Sequence, residues 1–204
     1  MNGQDRRSCG IKVARTMHRK QNQRSLKTIH FSIPYMVDDK RTESRLTETI
    51  IEFLIGLPLF HELSTSELRI VARHMSFIEI KKDDVLFYEG DRGNYMCFVV
   101  DGALEVIKQT EQHTEAVIST LTRGRSIGEM SVIDNFPRSA TVRATTAATL
   151  LVLTRDRFET LLDTHPPLGI KLLKSLARLM SMHLRRTSSQ LADFMAPVHS
   201  PRNF

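Results

Sequence analysis

Residues 95–109 read YMCFVVDGALEVIKQ, two runs rich in apolar and β-branched residues joined by Asp101-Gly102. Such a dipeptide between two hydrophobic runs signals a hairpin turn. Outward from this hairpin the same period-two pattern recurs. It predicts strands over 77–80, 85–89, 95–100, 103–109, 115–120, 140–144 and 149–154. Lys82-Asp83-Asp84, Glu89-Gly90-Asp91 and Thr122-Arg123-Gly124 supply further turns. Many short strands unbroken by long helices predict a mainly β fold with flanking helices: an antiparallel β-roll or jelly roll over about 77–154.

Helical spacing brackets the strands. Leu46, Ile50, Phe53, Leu54 and Leu57 recur at helical intervals, and Ser64-Thr65-Ser66-Glu67 is a capping box opening a short second helix to about His74. Leu68, Val71 and Met75 would share one side of it. After the last strand Thr154 suits an N-cap ahead of Phe158, Leu161 and Leu162. Pro166 or Pro167 then suits the first turn of a long helix to about Ala192. Its stripe of Leu172, Leu176, Leu179, His183 and Leu191 is wide enough to meet both the roll and a second copy of itself.

The chain has 204 residues, 41% hydrophobic and 25% charged, which suits one compact domain with accessories and excludes a fibrous or wholly disordered chain. The net charge of +6 is unevenly placed. Residues 1–45 carry 11 Lys/Arg against 4 Asp/Glu, and the remaining 159 carry 18 against 19. The expected organisation is a flexible basic arm over 1–45, a folded domain over 46–194 with helices over about 155–192, and a frayed tail over 195–204. No apolar run is long enough to span a bilayer and no signal peptide is evident. Two cysteines, Cys9 and Cys97, fit a reducing cytoplasm, with Cys97 an inert core residue.

Residues 126–144, SIGEMSVIDNFPRSATVRA, break the alternation. Gly128 permits an unusual backbone angle, and residues 129–133 suit a single helical turn whose amides would face an anion. Arg138 offers a planar fork for two phosphate oxygens, Ser139 a hydroxyl, and Ala140 little bulk. Glu129 can accept hydrogen bonds from a sugar hydroxyl. Together these suggest a ribose phosphate. From the residues alone a second reading stays open, in which Glu129 and Arg138 form an ion pair across a surface turn.

The stretch resembles the phosphate-binding cassette of the cyclic nucleotide-binding domain family. That family includes the bacterial catabolite activator, regulatory subunits of cyclic-nucleotide-dependent kinases and gating domains of channels. Gly128-Glu129-Met130-Ser131 and, after a variable loop, Pro137-Arg138-Ser139-Ala140-Thr141-Val142 match its pattern. The resemblance extends over about residues 50–192, through Val85 to Asp91, Tyr95 to Val106, and the entry Pro58-Leu59-Phe60. It implies backbone contacts from Gly128, Met130, Ser131 and Ala140, a ribose 2′-hydroxyl on Glu129, a cyclic phosphate on Arg138, and a phosphate bond from Ser139. The catabolite activator's adenine-binding Thr-Ser pair falls, counted without gaps, on His183 and Leu184, with Thr187 one turn further. These three are the candidate base contacts. Ser139 favours cAMP over cGMP, because cGMP-selecting kinase domains usually carry Thr there.

Other chemistries fit worse. The eight histidines are scattered, and no zinc-ligand spacing, nucleophile elbow or Walker sequence occurs, so neither catalysis nor a metal or other cofactor is expected. About ten residues follow Ala192, too few for a DNA-reading helix-turn-helix, so sequence-specific DNA binding by this chain alone is not expected. The expectation is a cyclic-nucleotide sensor whose ligand moves the long helix against a homodimer partner or an effector protein. The alternative is a ligand-free β-roll interaction module whose basic arm touches nucleic acid or an acidic membrane.

Overall fold

The computed structural model describes residues 40–110, 114–134 and 136–195, with side chains from residue 44. Most of the expected arm, Cys9 and nearly all the expected tail lie outside the described residues. Five helices and eight strands follow in order. They are α1 (Lys40–Ile55), α2 (Thr65–Ala72), β1 (Met75–Ile80), β2 (Val85–Phe87), β3 (Tyr95–Asp101), β4 (Leu104–Gln109), β5 (Glu115–Leu121), β6 (Ser126–Ile127), α3 (Met130–Ile133), β7 (Thr141–Ala144), β8 (Ala148–Thr154), α4 (Arg155–Thr164) and α5 (Pro166–Met195). A 3-10 turn, Pro58–Phe60, links α1 to α2.

The strands form two four-stranded antiparallel sheets, β1-β8-β3-β6 and β2-β7-β4-β5. The β1-β8-β3 sheet is buried on both faces. Met96 and Phe98 of β3 and Leu151 and Leu153 of β8 pack into a core with Leu54, Phe60, Val71, Phe158, Leu161, Leu172 and Leu176 from the helices. The alternate residues Cys97, Val99, Leu150 and Val152, also buried, face the other way, as strand alternation requires. Cys97 sits opposite Val152 in the ladder, and burial pushes its thiol up to about 12. A thiol held neutral this way behaves as a small hydrophobe.

Caps hold the helix ends. Ser64 and Glu67 make the reciprocal capping box of α2, and Thr154 accepts from the Arg157 amide at the start of α4. Glu67 also holds Lys171 of α5 at 2.7 Å, tying the entry helices to the exit helix.

Several expectations shift. Helix α1 starts at Lys40, so the last six residues of the expected arm are helical, and Leu46 is half exposed. Its first turns are rich in Lys, Arg and Glu, residues of good helix propensity that carry no apolar period. Met75 opens β1 rather than closing α2. The two-residue strand β6, placed by its pairing with Cys97 and Phe98, is too short to show a period. Helix α5 runs three residues beyond Ala192, and its core contacts end early: Leu168, Leu172 and Leu176 are buried, whereas every residue from 181 to 195 is exposed.

Candidate functional site

The site is built where the loop before β3 meets the segment from β6 to β7. Gly128 has φ +80, and this left-handed turn swings the chain from β6 into α3. Glu129 stands at the N-cap of α3 with helical dihedrals, and its side chain makes no capping bond. The carboxylate is therefore left for another partner. Downstream, the Arg138 amide donates to the Asp91 carbonyl at 2.8 Å, and the Arg138 carbonyl accepts from Gly90 at 2.9 Å. This two-way pairing fixes the backbone from which the arginine projects inward.

Arg138 is 4% exposed. Nη1 donates to Ser131 Oγ at 3.0 Å and Nη2 to the Tyr95 carbonyl at 2.9 Å. The guanidinium carbon lies 4.0 Å from the Phe87 ring centroid and 4.5 Å from that of Tyr95, a cation set against two aromatic rings that pack edge to face with each other. Nε has no partner among the described residues, and a Cβ on Gly93 would come within 2.7 Å of it. Ser131 and the arginine together fill the space that a side chain at 93 would need. No carboxylate among the described residues lies within ion-pair distance of Arg138. Burial lowers its affinity for the proton, opposed chiefly by Tyr95 and Cys97. Guanidinium nevertheless stays charged at any working pH. A buried cation without a counter-anion is costly.

Glu129, also buried, makes no ion pair with Arg138. Its Oε1 lies 3.1 Å from Nδ1 of His183 on α5. The surface ion-pair reading left open by the residues is thereby excluded. Of the other sequence candidates, Ser131 and Ala140 are buried beside these two, Gly128 is half-buried, and Met130 and Ser139 are exposed. The Ser139 carbonyl accepts from Lys108 Nζ at 2.6 Å, and the same lysine pairs with Glu89 and holds its carboxyl below the usual range. His183 reaches the site; Leu184 and Thr187 are exposed on α5.

Residues that the sequence reading missed complete the surroundings. Phe87, Gly93 and Tyr95 enclose the guanidinium, and burial is the main cause that raises the Tyr95 phenol. Arg155, the first residue of α4, donates to the carbonyls of Ser131, Gly93 and Asp134, gathering α3 and the loop before β3 onto α4. Only the aromatic character of Phe87 and Tyr95 was visible beforehand, and it reads equally well as core.

A family model, the cyclic nucleotide-binding domain, matches residues 77–165, which take in both glycine turns and the whole segment from Gly128 to Ala140. A solved cyclic nucleotide-binding domain from Methylobacillus flagellatus superposes with a TM-score of 0.67 at 31% identity, over 76% of this chain and 88% of that one. The chain belongs to the cyclic nucleotide-binding domain family. This cyclic nucleotide-binding domain is also 30% identical, over 162 residues, to a cAMP-dependent protein kinase regulatory subunit of Mycosarcoma maydis. That alignment covers 79% of the chain but 29% of the relative, so the chain spans under a third of that protein's length. The regulatory domain of Toxoplasma gondii PKA, solved with cAMP, superposes at a TM-score of 0.53 and 30% identity, covering 60% of this domain and 45% of that chain.

Proposed function

We propose that this domain is a non-catalytic sensor that binds cAMP in preference to cGMP in the reducing cytoplasm, where a buried free thiol such as Cys97 is stable. The observation that carries the reading is the buried Arg138 cation without a carboxylate counter-ion among the described residues, in one segment with a buried Glu129 carboxylate that caps nothing. Arg138 would pair with the cyclic phosphate through guanidinium donors that protein acceptors leave unused. Glu129 would accept the ribose 2′-hydroxyl, Ser139 would donate to a phosphate oxygen, and Gly128, Met130, Ser131 and Ala140 would present backbone. The solved relative with cAMP supports this choice of ligand.

Ligand contact with α3 would reach α4 through Arg155, and α5 through Glu129 and His183. The exposed half of α5, with Met182, Leu184, Leu191 and Phe194, would then turn toward a second copy or an effector. Such a shift is bounded by the ligand's differential affinity for the two arrangements. Titration calorimetry of the full chain with cAMP, cGMP and 5′-AMP tests the reading. We expect saturable heat from cAMP, weaker binding of cGMP, and neither after Arg138→Ala. Absence of heat from both cyclic nucleotides would overturn it and favour a ligand-free interaction module.

A further inference from the structure

The Glu129 carboxylate, the acceptor assigned above to the sugar, has a side chain of the molecule itself within ion-pair distance. His183 Nδ1 lies 3.1 Å from Oε1, with the carboxylate side chain 9% exposed and the imidazole 48%. The contact follows from helix geometry. His183 is seven residues beyond Leu176, two turns along the stripe by which Leu172 and Leu176 are buried against the core, so it faces the same way. Around it, α5 has left the body and residues 181–195 are exposed. His183 pins a projecting helix to the mouth of the site.

We propose that His183 is an internal competitor for Glu129, a latch that must leave the carboxylate before a cyclic nucleotide's ribose can take it. This rests on the reading of the site as a cyclic-nucleotide pocket and assigns His183 a role opposite to base contact. With the latch closed, the sugar acceptor is blocked. Apparent affinity is then the intrinsic affinity reduced by the fraction of molecules whose latch is open. Ligand entry also frees the far half of α5, so the same side chain couples occupancy to helix release. A half-exposed pair that is ionic only while the imidazole is protonated is weak, and the closed state is correspondingly easy to open.

The test is cAMP titration of the full chain as wild type, His183→Ala, Glu129→Gln and the double variant. His183→Ala is expected to bind cAMP about two- to fivefold more tightly, the range that a partly exposed pair of this kind supports. Adding it to Glu129→Gln is expected to give no gain, because the competition is then already absent. Unchanged or weaker binding by His183→Ala overturns the latch, and weaker binding would make His183 a base contact instead. If neither wild type nor His183→Ala binds a cyclic nucleotide, the pocket reading fails and the latch is judged without ligand. Amide exchange over 128–134 and 181–188 should then be faster in His183→Ala, and equal exchange overturns it.

Discussion

Tyr95 holds Arg138 in two ways at once: its carbonyl accepts from Nη2 at 2.9 Å while its ring lies under the guanidinium carbon at 4.5 Å. Strand β3 thereby fixes both the direction and the plane of the arginine. A guanidinium locked in this fashion meets an incoming anion with little side-chain entropy left to lose.

Replacing that fork with a point charge should disable it. Arg138→Lys keeps the charge but cannot reach the Tyr95 carbonyl, Ser131 and a phosphate together. A charged hydrogen bond contributes about 1.5–3 kcal/mol, so cAMP affinity should fall by about one to two orders of magnitude in calorimetry. Affinity within twofold of wild type would remove Arg138 from the proposed site.

Gly93 has no room for a methyl group. A Cβ there would stand 2.7 Å from Arg138 Nε. Gly93→Ala should displace the guanidinium, cost about 1–3 kcal/mol of stability as an overpacked site, and weaken nucleotide binding further than that loss of fold explains. Thermal melting with and without cAMP separates the two effects.

Arg155 serves three carbonyls that would otherwise be partly buried and unmet. Arg155→Gln should lower the urea midpoint, with a loss of about 1–3 kcal/mol for each buried group left without a partner. Because α3 is then untethered from α4, the cAMP-induced change in α5 exchange should shrink even at saturating ligand. A full ligand response with only the midpoint lowered would make Arg155 purely structural.

Alkaline solution should weaken the fold. The Cys97 thiol titrates at about 12 in the folded state, well above the roughly 8.5 of an exposed thiol. A raised folded value means stability is fully present below the unfolded value and is lost as pH rises toward the folded one. The Tyr95 phenol, raised by burial, acts in the same sense. Urea unfolding at pH 7, 9, 10 and 11 should show declining stability, and Cys97→Ala, though less stable throughout, should decline less steeply. Native Cys97 should also resist iodoacetamide at pH 8.

Much of this was legible in the sequence. Seven of the eight strands follow from alternation, the Ser64 and Thr154 caps from side chains that compete for backbone amides, and the segment 128–140 from a glycine, a carboxylate and an arginine at fixed spacing. These are local properties, carried by residues within a few positions of one another. Strand β6 was not legible because two residues show no period, and the onset of α1 was misplaced because its first turns carry no apolar residue to mark a period.

The sequence by itself determined the β-roll, its helical brackets and the spacing that sets a glycine, Glu129 and Arg138 in the segment between β6 and β7. Only the tertiary structure decided that Arg138 would lie against Phe87 and Tyr95, beside Gly93, and that Glu129 would meet His183 rather than Arg138. Tyr95 stands 43 residues from Arg138 and Phe87 farther still, and Arg155 reaches 62 residues back to Gly93. Which of many possible donors and rings meets a given guanidinium depends on strand register and on where a helix crosses a sheet. These are set by burial of the whole core at once, and no short window of sequence contains them.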